Sequence, residues 1–277
     1  MTEPPQARSH KVLVPRHSAL VRLTHWVNVI SLLILLMSGL QIFNAHPALY
    51  WGAKSTFAEP WLSMRAVAEG SDLKGVTTLG KAKFDTTGLF GASVYDGGPQ
   101  ARGFPGWATL PGQRILSVGR RWHFFFAWLF AINGIIYLAS GVIGGHLKRD
   151  LLPTGEQLKP RHILHEIADH ARLRFPKGES ARRYNVIQKF AYLAVILILL
   201  PVIALTGMTM SPGLDTAFPW LLDLFGGRQS ARSIHFICAN LLVLFVIVHL
   251  IMVVLSGFWN NVRSMITGRY AIEEGAP

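Results

Sequence analysis

Long runs of apolar residues alternate with polar connections along the 277-residue chain. The hydrocarbon core of a bilayer is about 30 Å thick, and a helix needs about 20 apolar residues to cross it. Four runs reach that length, and each predicts a transmembrane helix. Basic residues precede the first run, as in a signal peptide, but the run is long and no small-residue cleavage site clearly follows, so we expect a retained helix. The four runs cover approximately residues 20–43, 122–144, 190–210 and 233–258.

Composition agrees with a membrane protein. The chain is 51% hydrophobic and 15% charged, and its mean hydropathy is positive, which is more apolar than an ordinary soluble domain. We therefore expect a single all-α membrane domain over residues 1–277, built as a four-helix bundle. Cys238 is the only cysteine, which excludes a disulfide within one chain and a cysteine-based metal or iron–sulfur site.

The distribution of Lys and Arg predicts the orientation of the chain, because cytoplasmic connections retain these residues. The connection over 146–189 has ten Lys or Arg against five acids, whereas the much longer 44–118 has seven against five. We expect 146–189 and both termini in the cytoplasm, and 44–118 as a long periplasmic loop that its Gly, Pro and aromatic residues keep ordered. The net charge of +12 then reflects topology in the lipid bilayer, and nucleic acid binding is not needed to explain it.

Two histidines interrupt the fourth apolar run, His235 and His249, fourteen residues apart. At 100° and 1.5 Å per residue, fourteen residues return a helix to within about 40° of the same face and advance it by about 21 Å. The two imidazoles therefore face one way at two membrane depths, with His235 nearer the outer surface.

Two further histidines stand at matching depths. His25 begins the first run on the cytoplasmic side, and His123 begins the second run on the outer side. We pair His25 with His249, and His123 with His235. Two cofactors, each held by two neutral imidazoles, would require this pattern; haem b is the natural candidate, because zinc would need four ligands. The alternative is that these histidines are only hydrogen-bonded helix residues, although ionisable groups inside a membrane are usually functional.

Glycines and arginines near the histidines give weaker support to the prediction of two haems. Gly39 and Gly134 each lie on the face of the histidine of their own helix, at roughly the depth of the other cofactor, where a missing side chain would admit a flat macrocycle. Helix packing through small residues explains them nearly as well. Three arginines near the outer histidines would pair with haem propionates, or alternatively contact lipid headgroups: Arg120, Arg121 and Arg232.

Polar residues mark the cytoplasmic entry to the third run, in the sequence RRYNVIQKFAY. Such a cluster could hydrogen-bond a quinone carbonyl near the His25/His249 level. It could equally be a helix cap with interface anchors, because Asn is a favoured N-cap and Tyr and Lys are common at interfaces. The residues concerned are Tyr184, Asn185, Gln188 and Lys189.

Upstream, RHILHEIADHARLRF predicts an amphipathic helix on the membrane surface. Its His162, His165 and His170 could form a third metal site, but solvated histidines on a basic interfacial helix are the simpler explanation.

These features resemble the bacterial dihaem cytochromes b, a group that includes cytochrome b561 and the cytochrome b subunits of formate dehydrogenase, nickel-iron hydrogenase and thiosulfate reductase. The phrases GRRWHFFFAWLFAINGIIY, YNVIQKFAYLAV and FGGRQSARSIHF are most similar to the thiosulfate reductase cytochrome b-like branch. The resemblance extends from about residue 16 to 269. It implies a multi-pass protein of the bacterial inner membrane with two haems b, ligated by the two histidine pairs above, and places the family's quinone-site asparagine at Asn185.

The resemblance also implies a function in electron relay. Electrons would pass between ubiquinone or menaquinone at the cytoplasmic side and a periplasmic redox partner, which in this branch is a molybdopterin oxidoreductase. One alternative is a stand-alone membrane oxidoreductase that passes electrons from superoxide or another small donor to quinone. Another is a transporter or membrane anchor whose histidines bind no haem.

Overall fold

A computed structural model describes residues 10–172, 174 and 184–274, and these are mostly helical. Four helical segments are long and apolar enough to cross a membrane, as the apolar runs predict. In the most apolar part of each, only 11–22% of the residues are buried, so lipid must cover the rest. The segments are α1 (Ala19–Phe43), α2 (Leu116–Ile143), the run Val186–Thr209 and α8 (Arg228–Leu255).

Three of these spans begin several residues before the apolar runs that predict them. Helix α2 begins at Leu116 rather than at residue 122, the third span at Val186 rather than at residue 190, and α8 at Arg228 rather than at residue 233. Their first two turns carry polar or charged residues, which do not count as apolar although the helical hydrogen bonding continues through them.

The third span contains an irregular turn. It consists of α4 (Val186–Ala194), a π-helical turn over Val195–Leu199 and α5 (Leu200–Thr209). Pro201 lies just after the π turn. A proline lacks the backbone donor and its ring clashes with the carbonyl four residues back, so a wider turn at this point accommodates it.

Short helices follow the spans or lie in the connections. The predicted amphipathic helix is present as α3. The short helices are α3 (Pro160–Ala171), α6 (Pro212–Ala217), α7 (Trp220–Leu224) and α9 (Phe258–Thr267), with a 3₁₀ turn at Gly106–Ala108 and a π turn at Leu147–Leu151.

The expectation of an all-α fold is wrong in the connection after α1 and near the two ends of the chain. Strands β2 to β5 form one antiparallel sheet, β6 and β7 form a hairpin, and β1 pairs with β8. The strands are short and half exposed, so their alternation of apolar and polar residues is too weak to predict them. Their bounds are β1 (His10–Pro15), β2 (Ala48–Leu49), β3 (Leu62–Glu69), β4 (Asp72–Leu79), β5 (Ala82–Asp85), β6 (Gly91–Tyr95), β7 (Gly98–Arg102) and β8 (Arg269–Glu274).

The chain divides into two compact units. The first unit comprises Met1–Trp26, Gly134–Leu199 and Leu242–Pro277, and the second comprises Val27–Asn133 and Leu200–Leu241.

Within the second unit, the connection after α1 forms a core together with the end of that helix. Phe43 of α1 is buried against Leu49, Leu62 and Met64 of the connection. A Cβ atom at Gly75 of β4 would come within 2.2 Å of a backbone oxygen of the segment before β6, so the two sheets meet where only glycine fits. This connection is therefore a folded β-structure.

Candidate functional site

The structure brings the four transmembrane histidines together in two pairs. His25 and His249, which we call the inner pair, have ring centroids 6.4 Å apart at an angle of 61°. His123 and His235, the outer pair, have centroids 6.3 Å apart at 60°. The inner pair lies within the first unit and the outer pair within the second. These are the pairs that the matching membrane depths predict.

The spacing within each pair fits one metal ion between two imidazoles. A metal–nitrogen bond to histidine is about 2.0–2.1 Å long, and each ring centre lies a further ring radius behind its nitrogen. Two bonds of about that length to one ion would give centroid separations close to the observed 6.3 and 6.4 Å. No group of three or more His, Cys, Asp or Glu side chains that could hold a metal is found among the described residues. A haem held by the two imidazoles of a pair would fit this donor set.

The tautomer of His235 follows from its neighbours on α5. Nδ1 lies 3.1 Å from the Thr206 hydroxyl oxygen and 3.0 Å from the Ile203 carbonyl oxygen. The Thr206 hydroxyl gives its own proton to carbonyls of its helix, the nearer being that of Val202 at 2.7 Å. It therefore accepts from His235, whose Nδ1 must carry the hydrogen, and Nε2 is the nitrogen with a free lone pair.

His123 has a matching partner on α1. Nδ1 of His123 lies 3.1 Å from the hydroxyl of Ser38, which donates to the Ile34 carbonyl at 2.6 Å. Both hydroxyl residues are completely buried. Such outer contacts set the tautomer, the orientation and the basicity of a metal ligand. Nε2 of each histidine is thus the atom that would hold a metal ion at the outer pair.

Glycines follow both hydroxyl residues and lie against the same imidazoles. A Cβ atom on Gly39 would lie 3.3 Å from Cε1 of His123, and one on Gly207 would lie 3.4 Å from Cε1 of His235. The dipeptides Ser38–Gly39 and Thr206–Gly207 therefore each place a hydroxyl group and a glycine against one imidazole of the outer pair. Sequence reasoning missed Ser38, Thr206 and Gly207. A hydroxyl–glycine dipeptide occurs in each of the four apolar runs, so this signal alone does not single out the two that lie against the outer pair. Gly134 meets open space: a Cβ there would have no neighbour within 4 Å.

Aromatic rings surround the inner pair. Trp26 meets His25 edge-on with centroids 5.5 Å apart, and Phe245 stacks on His249 at 5.9 Å. Tyr192 contacts Phe245 at 6.3 Å and Tyr184 at 5.3 Å. A continuous chain of ring contacts therefore connects His249 to the polar entry of α4.

That polar entry is a helix N-terminus. The Asn185 side chain accepts a hydrogen bond from the Gln188 amide at 2.8 Å, and the Gln188 side-chain oxygen accepts from the Asn185 amide at 3.3 Å. This reciprocal arrangement is a capping box. Buried Lys189 donates to the carbonyl of Leu152 and to the side chain of Gln157, both at 3.1 Å. The oxygens of Asn185 and Gln188 are thus occupied by the cap, whereas the Gln188 side-chain nitrogen forms no hydrogen bond among the described residues.

The three arginines predicted at the outer side differ in their surroundings. Arg232 donates to the backbone carbonyls of Ala48 at 2.8 Å and His46 at 2.5 Å. Arg120 and Arg121 are exposed, and the guanidinium of Arg120 lies over the ring of Phe124. Arg232 alone of the three is therefore held in a fixed position by the protein.

Histidines on α3 pair with acids one turn further along. His162 lies 3.0 Å from Glu166, and His165 lies 3.3 Å from Asp169. The side chain of His170 lies outside the described residues. Glu166 also accepts from the backbone amide of Val186 at 2.8 Å, so this part of α3 is attached to the start of α4.

Comparison with known proteins gives one family and a relative. The model of the prokaryotic cytochrome b561 family matches residues 16–268. A protein of Azospira oryzae, named putative protein-methionine-sulfoxide reductase subunit YedZ1, is 29% identical over 239 residues, which are 86% of this chain and 90% of the relative. No solved structure matches the chain.

Proposed function

The chain belongs to the prokaryotic cytochrome b561 family of membrane proteins for haem electron transport, and we propose that it carries electrons between the quinone pool and a periplasmic molybdopterin oxidoreductase. The observation that carries the proposal is the pair of histidine sites, each with centroids spaced for one metal ion. When bound, haem b would supply reversible one-electron redox chemistry at each site.

The protein's own part is to hold and orient the groups that carry the electrons. Each site offers two imidazoles, which would hold a haem from two helices. At the outer pair, Ser38 and Thr206 accept from the ligand rings and keep Nε2 of both toward the site. His235 and His249 lie fourteen residues apart on one helix, which suits transfer of electrons from one site to the other.

We place the quinone at the polar entry of α4, on the cytoplasmic side. The chain of ring contacts from Tyr184 to His249 supports this position, because it leads from the membrane edge to an inner-pair ligand. Burial raises the pKa of Tyr184, so its hydroxyl stays protonated at neutral pH. Gln188 has a side-chain nitrogen to donate to a quinone oxygen, and Asn185 orients Gln188 through the capping box.

The partner class rests on the named relative. The relative is named a putative subunit of a protein-methionine-sulfoxide reductase, and a reductase of that kind consumes electrons. For this chain the same arrangement sends electrons from quinol, through the inner and then the outer site, to a periplasmic reductase of the molybdopterin class. The folded connection between α1 and α2 is the region we assign to docking.

The test is a set of visible spectra on the purified protein. The wild type should contain two low-spin b haems per chain. His123→Ala or His235→Ala should remove the outer haem and leave much of the inner one, and His25→Ala or His249→Ala should do the reverse. Loss of both haems from all four folded variants would contradict the pairing, and a spectrum without haem would refute the proposal.

A further inference from the structure

A segment of the second unit after α1 is attached to the first turns of α8. The Ser233 hydroxyl donates to the carbonyl of Tyr50 at 2.6 Å, and the Gly52 amide donates to the Ser230 hydroxyl at 2.7 Å. Together with the bonds from Arg232 to the carbonyls of His46 and Ala48, these contacts hold residues 46–52 at the end of the helix that carries His235.

Two side chains of this segment have buried polar atoms without partners among the described residues. Nε2 of His46 and the hydroxyl oxygen of Tyr50 are shielded from solvent and form no hydrogen bond with any residue in 10–172, 174 or 184–274. The two rings stack with centroids 5.7 Å apart, and Tyr50 is only 1% exposed. Buried polar groups in proteins nearly always have a hydrogen-bond partner, so two orphaned atoms on stacked neighbours point to an unfilled acceptor.

The surroundings of these atoms are positively charged. The pKa of His46 is lowered by burial first, and then by the charges of Arg232 and Arg65. Arg65 reaches the same place by donating to the carbonyl of Phe57, whose ring packs edge-on against His46. Neither arginine forms an ion pair with an acid in the part of the chain that the structure describes. The missing group is therefore an anion with oxygen acceptors, which means a carboxylate or a phosphate.

The position favours a carboxylate of haem. Arg232 precedes His235 by three residues, less than one helical turn, which is a rise of about 4.5 Å. Haem carries its two propionates on one edge, and an anion held beside Arg232 would lie within reach of a macrocycle bound at His235. We propose that His46 and Tyr50, with the charge of Arg232, bind a propionate of the outer haem through donation from Nε2–H and the phenolic hydroxyl. The inference rests on the proposed function for the presence of that haem.

Tyr50→Phe and His46→Phe test the site in the intact, haem-loaded protein. Each keeps an aromatic ring for the stack and removes only a donor. Loss of a donor leaves the propionate charge less compensated, which favours ferric iron, so the midpoint potential of the outer haem should fall. We expect a threefold to tenfold change in its redox equilibrium, or about 30–59 mV for one electron. The propionate bending band of that haem should shift in resonance Raman spectra, and the inner haem should not change.

Tyr95→Phe is the matched control, because Tyr95 lies in the same connection but outside this cluster, and it should change neither potential. Absence of haem from the wild type would refute the proposed function itself. Both haems bound, with outer potential and propionate band unchanged in both variants, would overturn this inference alone. Loss of a co-purified anionic lipid, with the haem unchanged, would also overturn it and assign the cluster to a lipid phosphate.

Discussion

Replacing Thr206 by valine isolates the contribution of one hydroxyl to the outer site. The substitution removes the oxygen that lies 3.1 Å from Nδ1 of His235 and keeps a branched side chain of similar shape. The Ile203 carbonyl remains 3.0 Å from the same nitrogen, so the ring retains an acceptor. We therefore expect a folded protein that still binds both haems.

The expected change is a rise in the midpoint potential of the outer haem. An imidazole that donates from Nδ1 is a more basic ligand and favours the ferric state, so losing an acceptor favours the ferrous state. One hydrogen bond contributes about 0.5–1.5 kcal/mol net. At about 1.4 kcal/mol and 59 mV per tenfold change for one electron, this corresponds to a rise of about 20–60 mV if the whole contribution distinguishes the two oxidation states.

A redox titration followed by visible absorbance measures both haems in one experiment. Thr206→Ser keeps the hydroxyl and should keep the wild-type potential. Thr209→Val is the control for general damage, because Thr209 is equally buried on the same helix but donates to the Thr206 carbonyl and does not touch a histidine. An unchanged potential in Thr206→Val, or an equal shift in Thr209→Val, would refute the assignment of Thr206.

Three other substitutions test separate parts of the structure. Gln188→Glu keeps the oxygen of the capping box and removes the amide donor, so thermal stability should be unchanged while the affinity for quinol falls up to about tenfold. Quinol-driven haem reduction measures this affinity, and wild-type kinetics would remove Gln188 from the quinone site. Gly227→Ala should lower the melting temperature and weaken retention of the outer haem, since φ is +104° and a Cβ would lie 2.7 Å from the Gly52 carbonyl oxygen. Gly213→Ala is the control and should change the melting temperature little, because a Cβ there would have no neighbour within 4 Å. Replacing β4 to β7 by a short linker should leave quinol-driven reduction of both haems and abolish electron exchange with the periplasmic partner; undiminished exchange would assign this β-structure another role.

The four spans could be predicted from apolar length, and the pairing of the histidines from the helical repeat together with the membrane depths that the Lys and Arg distribution indicates. Apolar length identifies a span, and the helical repeat places His235 and His249 on one face without knowledge of any other helix. The bounds of α2 and α8 were less accurate, because a helix continues past the apolar region into arginine-rich turns.

Contacts between distant segments could not be predicted in this way. The sequence predicts Arg232 as a cation on the outer side of the membrane. It gives no sign that the hydrogen-bond acceptors of Arg232 are the carbonyls of His46 and Ala48, more than 180 residues earlier in the chain. The sequence around Asn185 and Gln188 is equally typical of a quinone site and of a helix cap. Only the structure shows that the side-chain oxygens of these two residues form a capping box. The strands of the connection after α1 depend on pairing with one another, which an alternation over a few residues does not reveal.

The pairing of β1 with β8 has a consequence for the synthesis of the protein. His10 lies opposite Glu274, and Pro15 lies opposite Arg269, so the first described strand finds its partner only after the last one has left the ribosome. Until β8 has been made, β1 therefore lacks the partner that satisfies its backbone hydrogen-bonding groups. Truncating the chain before Arg269 removes that partner, so we expect residues 10–15 to become accessible to proteolysis in such a variant.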